Sequence, residues 1–77
     1  MGRTDALRDK IQKLGSKGKL SALLKYADNS EDDVRMAVAM AMGMIPSYES
    51  GMALIPLLRD SSPMVRAAAA TSAAKSS

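Results

Sequence analysis

Residues 22–43, ALLKYADNSEDDVRMAVAMAMG, and residues 53–74, ALIPLLRDSSPMVRAAAATSAA, align without a gap at a spacing of 31 residues. Both stretches run from an apolar segment through a polar turn to a Val-Arg pair and an alanine-rich segment. Seven aligned positions are identical, including Val-Arg at 34–35 and 65–66. A fixed period of this size, with two helical segments in each copy, is typical of solenoid proteins. The alignment therefore predicts a repeat protein.

Helical spacing of apolar residues extends along the rest of the chain. Ala, Leu and Met dominate the apolar composition and favour helix, while Phe and Trp are absent. The fold class is therefore predicted as all-α, with about five short helices. The turn residues predict a first helix ended by Gly15, a second with Leu20, Leu23, Leu24 and Ala27 on one face, a third from Glu31 or Asp32 to Ile45, a fourth over about Glu49–Arg59, and a fifth with Pro63 at its first position.

The segment LLRDSSPMVRAAAA, residues 57–70, resembles the HEAT-like repeats also found in phycobilisome lyase-type proteins. The resemblance covers residues 20 to about 75. It implies a short right-handed α-solenoid, a superhelix of two HEAT-like repeats preceded by an N-terminal capping helix. We expect a single domain over residues 1–77, with the capping helix and its turn at 1–18, a first repeat at 19–46 and a second repeat at 47–77.

The same resemblance implies roles for paired positions. Val34 and Val65 would anchor the second helix of each repeat in the core. The arginines that follow them would bond to the turns between helices and form a ladder between repeats. These residues and their candidate partners are Arg35, Arg66, Asp60 and Asn29.

Two residue types needed for much of catalysis and metal binding are missing, because the chain has no histidine and no cysteine. It therefore lacks the usual general base, thiolate nucleophiles and the commonest metal ligands. The carboxylates between residues 28 and 33 lack the glycine and the closing glutamate of a calcium-binding EF-hand loop. We expect a protein that is not an enzyme, without cofactor or metal. The longest apolar run, residues 36–45, is well below the ~20 residues of a membrane span, so no membrane insertion and a cytoplasmic location are expected.

Met36, Met40 and Met44 recur at i, i+4 and i+8 on the third predicted helix. The resemblance implies that second helices line a concave surface, where an exposed methionine stripe would suit an apolar helix or peptide. The alternative is burial by neighbouring helices, which the all-round apolar character of this helix favours. The expected function is non-catalytic protein–protein interaction or scaffolding with a partner of unknown identity. Ala67, Ala70 and Thr71 complete the candidate partner-binding residues.

The N-terminal third of the chain is basic. Residues 1–25 hold seven Lys or Arg against two Asp. Such charges can bind phosphates, so nucleic-acid or anionic-surface binding is the alternative function. No aromatic residue lies among them for base stacking, and a solvated outer face of the capping helix also explains them. The candidate anion-binding residues are Arg8, Lys10, Lys13, Lys17 and Lys19.

The last predicted helix, VRAAAATSAAK, has small side chains on nearly every face and one lysine after Arg66. Small residues permit close approach of another helix, but they give too little bulk for the outer wall that a terminal repeat needs. This predicts association through the C-terminal helix, either as a homo-oligomer or with a missing neighbour. Fraying of a weakly packed helix is the alternative.

Overall fold

The computed structural model describes residues 3–75. Its regular secondary structure is entirely helical, so the predicted all-α class is confirmed, and no strand occurs between these residues. No helix in this range is both long and apolar enough to cross a membrane. The helices are α1 (Arg3–Ser16), α2 (Leu20–Leu24), α3 (Asp32–Met42), α4 (Tyr48–Leu57) and α5 (Pro63–Lys75).

The helices form a short α-solenoid with two layers. α1, α3 and α5 make the inner layer, α2 and α4 make the outer one, and α3 contacts all four other helices. α3 and α5 run parallel, because Ser62 Oγ donates to Asp32 Oδ2 at their N-terminal ends (3.0 Å), and Ser72 Oγ donates to the Ala39 carbonyl near their C-terminal ends (2.7 Å). α1 also runs parallel to α3, since the two helices pack together and Gly15 near the C-terminal end of α1 lies against Ala41 near the C-terminal end of α3. The division of the chain at residues 18 and 46 stays a prediction.

The core lies around α3 and draws on every helix. Ten of the 11 residues of α3 are buried or half-buried, as its apolar composition predicts, and both valines of the Val-Arg pairs are within the core. Burying such side chains is the main favourable contribution to folding, at about 1.5–3 kcal/mol for each large apolar residue. The buried apolar residues are Ile11, Leu23, Val34, Val38, Ala39, Ala41, Met42, Ile45, Leu54, Leu57, Val65 and Ala69.

Four predicted helix ends differ from the structure: α2 ends at Leu24, before Ala27, and α4 ends at Leu57, before Arg59. The other two, those of α1 and α3, have a local reason. α1 continues past Gly15 to Ser16, because Gly15 serves close packing: a Cβ atom there would lie 2.8 Å from the Ala41 Cβ. The chain turns instead at Gly18, whose φ of 69° is unfavourable for other residues. α3 ends at Met42, before Ile45, because the amides of residues 43–45 donate to carbonyls three residues back in a tighter turn.

Candidate partner-binding groove

One side of α3 is left uncovered between α1 and α5. Residues of these three helices line an open groove of about 1060 Å³. We call it the methionine groove, because Met36 and Met40 of α3, Met44 just after α3, and Met64 of α5 line it. The Met40 and Met44 side chains are 57% and 46% exposed, Met64 is also exposed, and Met36 is half-buried. The groove thus presents four flexible, apolar side chains to solvent.

The expectation that neighbouring helices cover most of α3 is confirmed, since Met40 alone among Asp32–Met42 is exposed, but the methionine stripe itself is exposed at Met40 and at Met44. α3 is covered by α1, α5 and the outer layer, but no helix among residues 3–75 lies over the side between α1 and α5. The all-round apolar character of α3 therefore has two causes. Most of it serves the core, and the remainder forms the lining of the groove.

The two walls of the groove differ in charge. On the α1 wall, Arg8 Nη2 donates to Asp5 Oδ1 at 2.6 Å, whereas Asp9 has no ion-pair partner among the side chains of residues 5–75, which are those that the structure describes. On the α5 wall, Lys75 has no such partner in the same range. The walls consist of Asp5, Arg8, Asp9 and Gln12 on α1 and of Ala67, Ala68, Thr71, Ser72 and Lys75 on α5.

Five of the six candidate partner-binding residues lie together in this groove: Met36, Met40, Met44, Ala67 and Thr71. Ala70 does not line it. Met64 and the α1 wall were not predicted as partner-binding residues, and Arg8 was predicted only as a candidate anion-binding residue. A usable signal existed, because residues 5, 8, 9 and 12 follow one another at helical spacing, as do residues 64, 67, 71 and 75.

Arg35 joins the two repeats. Its Nε and Nη2 atoms donate to the two carboxylate oxygens of Asp60, at 2.9 and 3.0 Å, and its Nη1 donates to the carbonyls of Asn29 and Ser30. The hydrogen bond from Arg35 holds the pKa of Asp60 below its ordinary value, and the same bond raises the pKa of Arg35. This bidentate pair, mostly shielded from solvent, fixes the register of the second repeat on the first.

Asn29 accepts the hydrogen bond from Arg35 with its backbone carbonyl rather than with its side chain. Its Oδ1 accepts from the Glu31 amide at 2.9 Å, as Asp60 Oδ1 accepts from the Ser62 amide. Arg66, the second repeat's counterpart of Arg35, donates to the Asp60 carbonyl at 2.8 Å. No carboxylate lies within ion-pair distance of Arg66 between residues 3 and 75.

One side of α5 is uncovered, although the equivalent side of α3 in the first repeat is covered by α5. Ala39 on α3 is fully buried, at 0% exposure, where α5 packs on it, while its counterpart Ala70 is exposed. We define the open face as Arg66, Ala70 and Ala74, the counterparts of Arg35, Ala39 and Gly43. All three are exposed.

The candidate anion-binding residues are distributed over several parts of the surface. Arg8 lies in the groove beside Asp5, while Lys10 Nζ lies 5.9 Å from the ring centroid of Tyr26 on the α2 side. Lys13, Lys17 and Lys19 are exposed around the end of α1 and its turn. Across residues 3–75, no group of three or more carboxylates is placed to hold a metal ion.

Among known protein families, the family model described as HEAT repeats matches residues 20–77 of the chain. The match begins at the first residue of α2 and includes both hairpins, α2–α3 and α4–α5. No curated protein and no solved structure matches the chain.

Proposed function

Because the chain belongs to the HEAT-repeat family, we propose that it is a non-catalytic protein-binding module and that the methionine groove is its binding site. Repeats of this family generally mediate protein–protein interaction or scaffolding. The likeness to phycobilisome lyase-type proteins stays a resemblance, and no lyase activity is proposed from it, since a fold does not determine chemistry.

The exposure of Met40, Met44 and Met64 in one concave surface carries this proposal. Large apolar side chains grouped in a groove favour an apolar partner, because covering them removes apolar surface from water. Methionine side chains are unbranched and polarizable, so they adapt to the shape of the partner. The 11 residues of α3 form a floor about 16 Å long at 1.5 Å per residue, which suits three turns of a helix.

The test is a titration with a designed peptide. We would use an amphipathic helix of about 14 residues with leucines at i, i+4, i+7 and i+11, and follow the methionine ε-methyl signals by NMR. Met40→Lys is expected to weaken binding at least tenfold, or roughly 1.4 kcal/mol, because it places a charge against the apolar face. Leu24→Lys is the matched control, since Leu24 is exposed on α2 and lines neither the groove nor the depression beside it. Equal effects of the two variants, or no binding of the peptide, would contradict the proposal.

Nucleic-acid binding, the alternative function, gains no support from the arrangement of the basic residues. Arg8 is paired with Asp5 in a groove that also holds Asp9, and Lys10 lies on a different face of α1. Phosphate binding would require steep salt dependence of any observed affinity for duplex DNA.

The open face supports a second protein contact, and we propose that a second copy of this chain occupies it. A two-fold pairing of α5 helices at Ala70 would bring two rows of small side chains into close contact. It would also place Arg66 of each copy beside the C-terminal carbonyls of the other copy's α5, where a positive charge is favourable.

Self-association through α5 is expected to be concentration-dependent and to be abolished by Ala70→Glu, which places a carboxylate at the crossing point. Sedimentation velocity over a range of concentrations measures it. Ala6→Glu is the matched control, because Ala6 is exposed on α1 and lies outside the open face. A wild-type chain that sediments as a monomer at every concentration would refute the association.

A further inference from the structure

We infer that the methionine groove selects the direction of its partner: an amphipathic helix that lies antiparallel to α3, with an acidic first turn beside Lys75 and a basic last turn beside Asp9. The inference rests on the proposed function, because it concerns the same groove. It adds the orientation and the charge pattern of the partner.

Asp9 and Lys75 lie at different levels along the axis of the groove. Lys75 is at the end of α5, and it shares a second surface depression with Met44, just past the end of α3. Asp9 lies six residues before Gly15, and Gly15 is level with Ala41, so Asp9 is level with about Arg35. The nine residues from that level to Met44 span about 13 Å at 1.5 Å per residue. A bound helix of three turns therefore extends past both charges.

The backbone of the groove has a direction of its own. α1, α3 and α5 are parallel, so the partial positive charges of their N-termini lie at one end of the groove and the partial negative charges of their C-termini at the other. A fourth helix placed antiparallel has its N-terminus beside the three C-termini. This pairing of opposite partial charges favours the antiparallel orientation for any helix, whatever its side chains.

Side-chain charges then select among partners. Most helices carry acidic residues in the first turn and basic residues in the last, because these complement their own dipole. In the antiparallel orientation such a helix places its acidic turn beside Lys75 and its basic turn beside Asp9. The parallel orientation places like charges together at both sites. Asp5 contributes little to this choice, because Arg8 already neutralises it.

The experiment compares two peptides with the leucine pattern described above and identical composition. One has two glutamates in the first turn and two lysines in the last, and the second peptide has these charges exchanged. The first peptide is expected to bind roughly fivefold more tightly at low salt, because the second peptide forms the same ion pairs only in the parallel orientation, which the helix dipoles disfavour. The ratio should approach one at high salt. A spin label on the N-terminus of the first peptide should broaden the Met44 methyl signal more than that of Met36.

Charge reversal within the groove provides the decisive variant. Asp9→Lys combined with Lys75→Glu keeps the net charge and is expected to invert the preference between the two peptides. Lys25→Glu combined with Glu49→Lys is the matched control, since both residues are exposed on the outer layer, and it should leave the preference unchanged. Equal affinity for both peptides, or stronger broadening at Met36, would overturn the orientation while leaving the groove as the site. Failure of both peptides to bind would overturn the proposed function and the orientation together.

Discussion

Leu54→Ala is expected to lower the free energy of unfolding by about 3 kcal/mol, within the range observed for fully buried leucines. Leu54 is 0% exposed and belongs to the core that α4 shares with the inner layer. Removing its side chain leaves a cavity between the two layers that a close-packed interior fills only in part. A domain of this size has only about 5–15 kcal/mol of total stability, so one substitution should remove a large part of it. Urea denaturation monitored by circular dichroism measures the change.

Ile55→Ala is the matched control for this prediction. Ile55 adjoins Leu54 on α4 but is 46% exposed, so its truncation should cost at most about 1 kcal/mol. Equal losses of stability at the two positions would contradict the orientation of α4, in which Leu54 faces the core and Ile55 faces solvent.

Gly43→Ala and Gly51→Ala are expected to change stability in opposite directions. A Cβ atom at Gly43 would lie 2.5 Å from Ser72 Oγ and 2.9 Å from Ser72 Cβ, so the two repeats must move apart. Overpacking of this kind costs about 1–3 kcal/mol. A Cβ atom at Gly51 within α4 meets no atom within 4 Å, so alanine there should stabilise by about 0.8 kcal/mol through helix propensity. Thermal unfolding of the two variants beside the wild type measures both signs.

The cause of the Gly43→Ala effect can be isolated with Ser72→Gly. That change removes the two nearest atoms, and it also removes the hydrogen bond to the Ala39 carbonyl. In a double-mutant cycle the two substitutions should therefore be less damaging together than the sum of their separate effects. Strict additivity would show that the contact between Gly43 and Ser72 does not limit the approach of the repeats.

The helical architecture could be predicted from the sequence because the 31-residue period repeats the Val-Arg pair and the apolar spacing around it. The exposure of Met40 could not be predicted in the same way, since it depends on how far apart α1 and α5 lie. That separation is set by two close contacts, Gly15 with Ala41 and Gly43 with Ser72. Neither contact leaves a periodic signal, because glycine in a pattern of apolar residues is also the usual sign of a helix end.

The repeat alignment also concealed a member of the groove. Met64 aligns with Asp33, so equivalence between the repeats predicts a polar residue where the structure has an apolar one in the groove. Ala70 shows the opposite error. It was grouped with the methionines, yet helical geometry places it outside the groove on the open face. Periodicity identifies which residues share one side of a helix, whereas the neighbouring helices determine whether that side is buried, exposed or part of the groove.

The Arg35–Asp60 pair means that the two repeats, here called the first and second modules, cannot exchange places in the chain. The turn before α5 carries an acid where an arginine reaches it from the preceding module, and the equivalent turn before α3 carries the neutral Asn29. Among the described side chains, residues 5–75, the only guanidinium bonded to Asn29 is that of Arg35 in the same module, and it binds the backbone carbonyl. In a rearranged chain, a duplicate of the second module could follow the original, because Arg66 would meet the duplicate's aspartate. The first module placed after the second would leave Arg66 opposite an amide. The difference between the Asn29 amide and the Asp60 carboxylate, nitrogen in place of one oxygen, thus distinguishes the first module from the second.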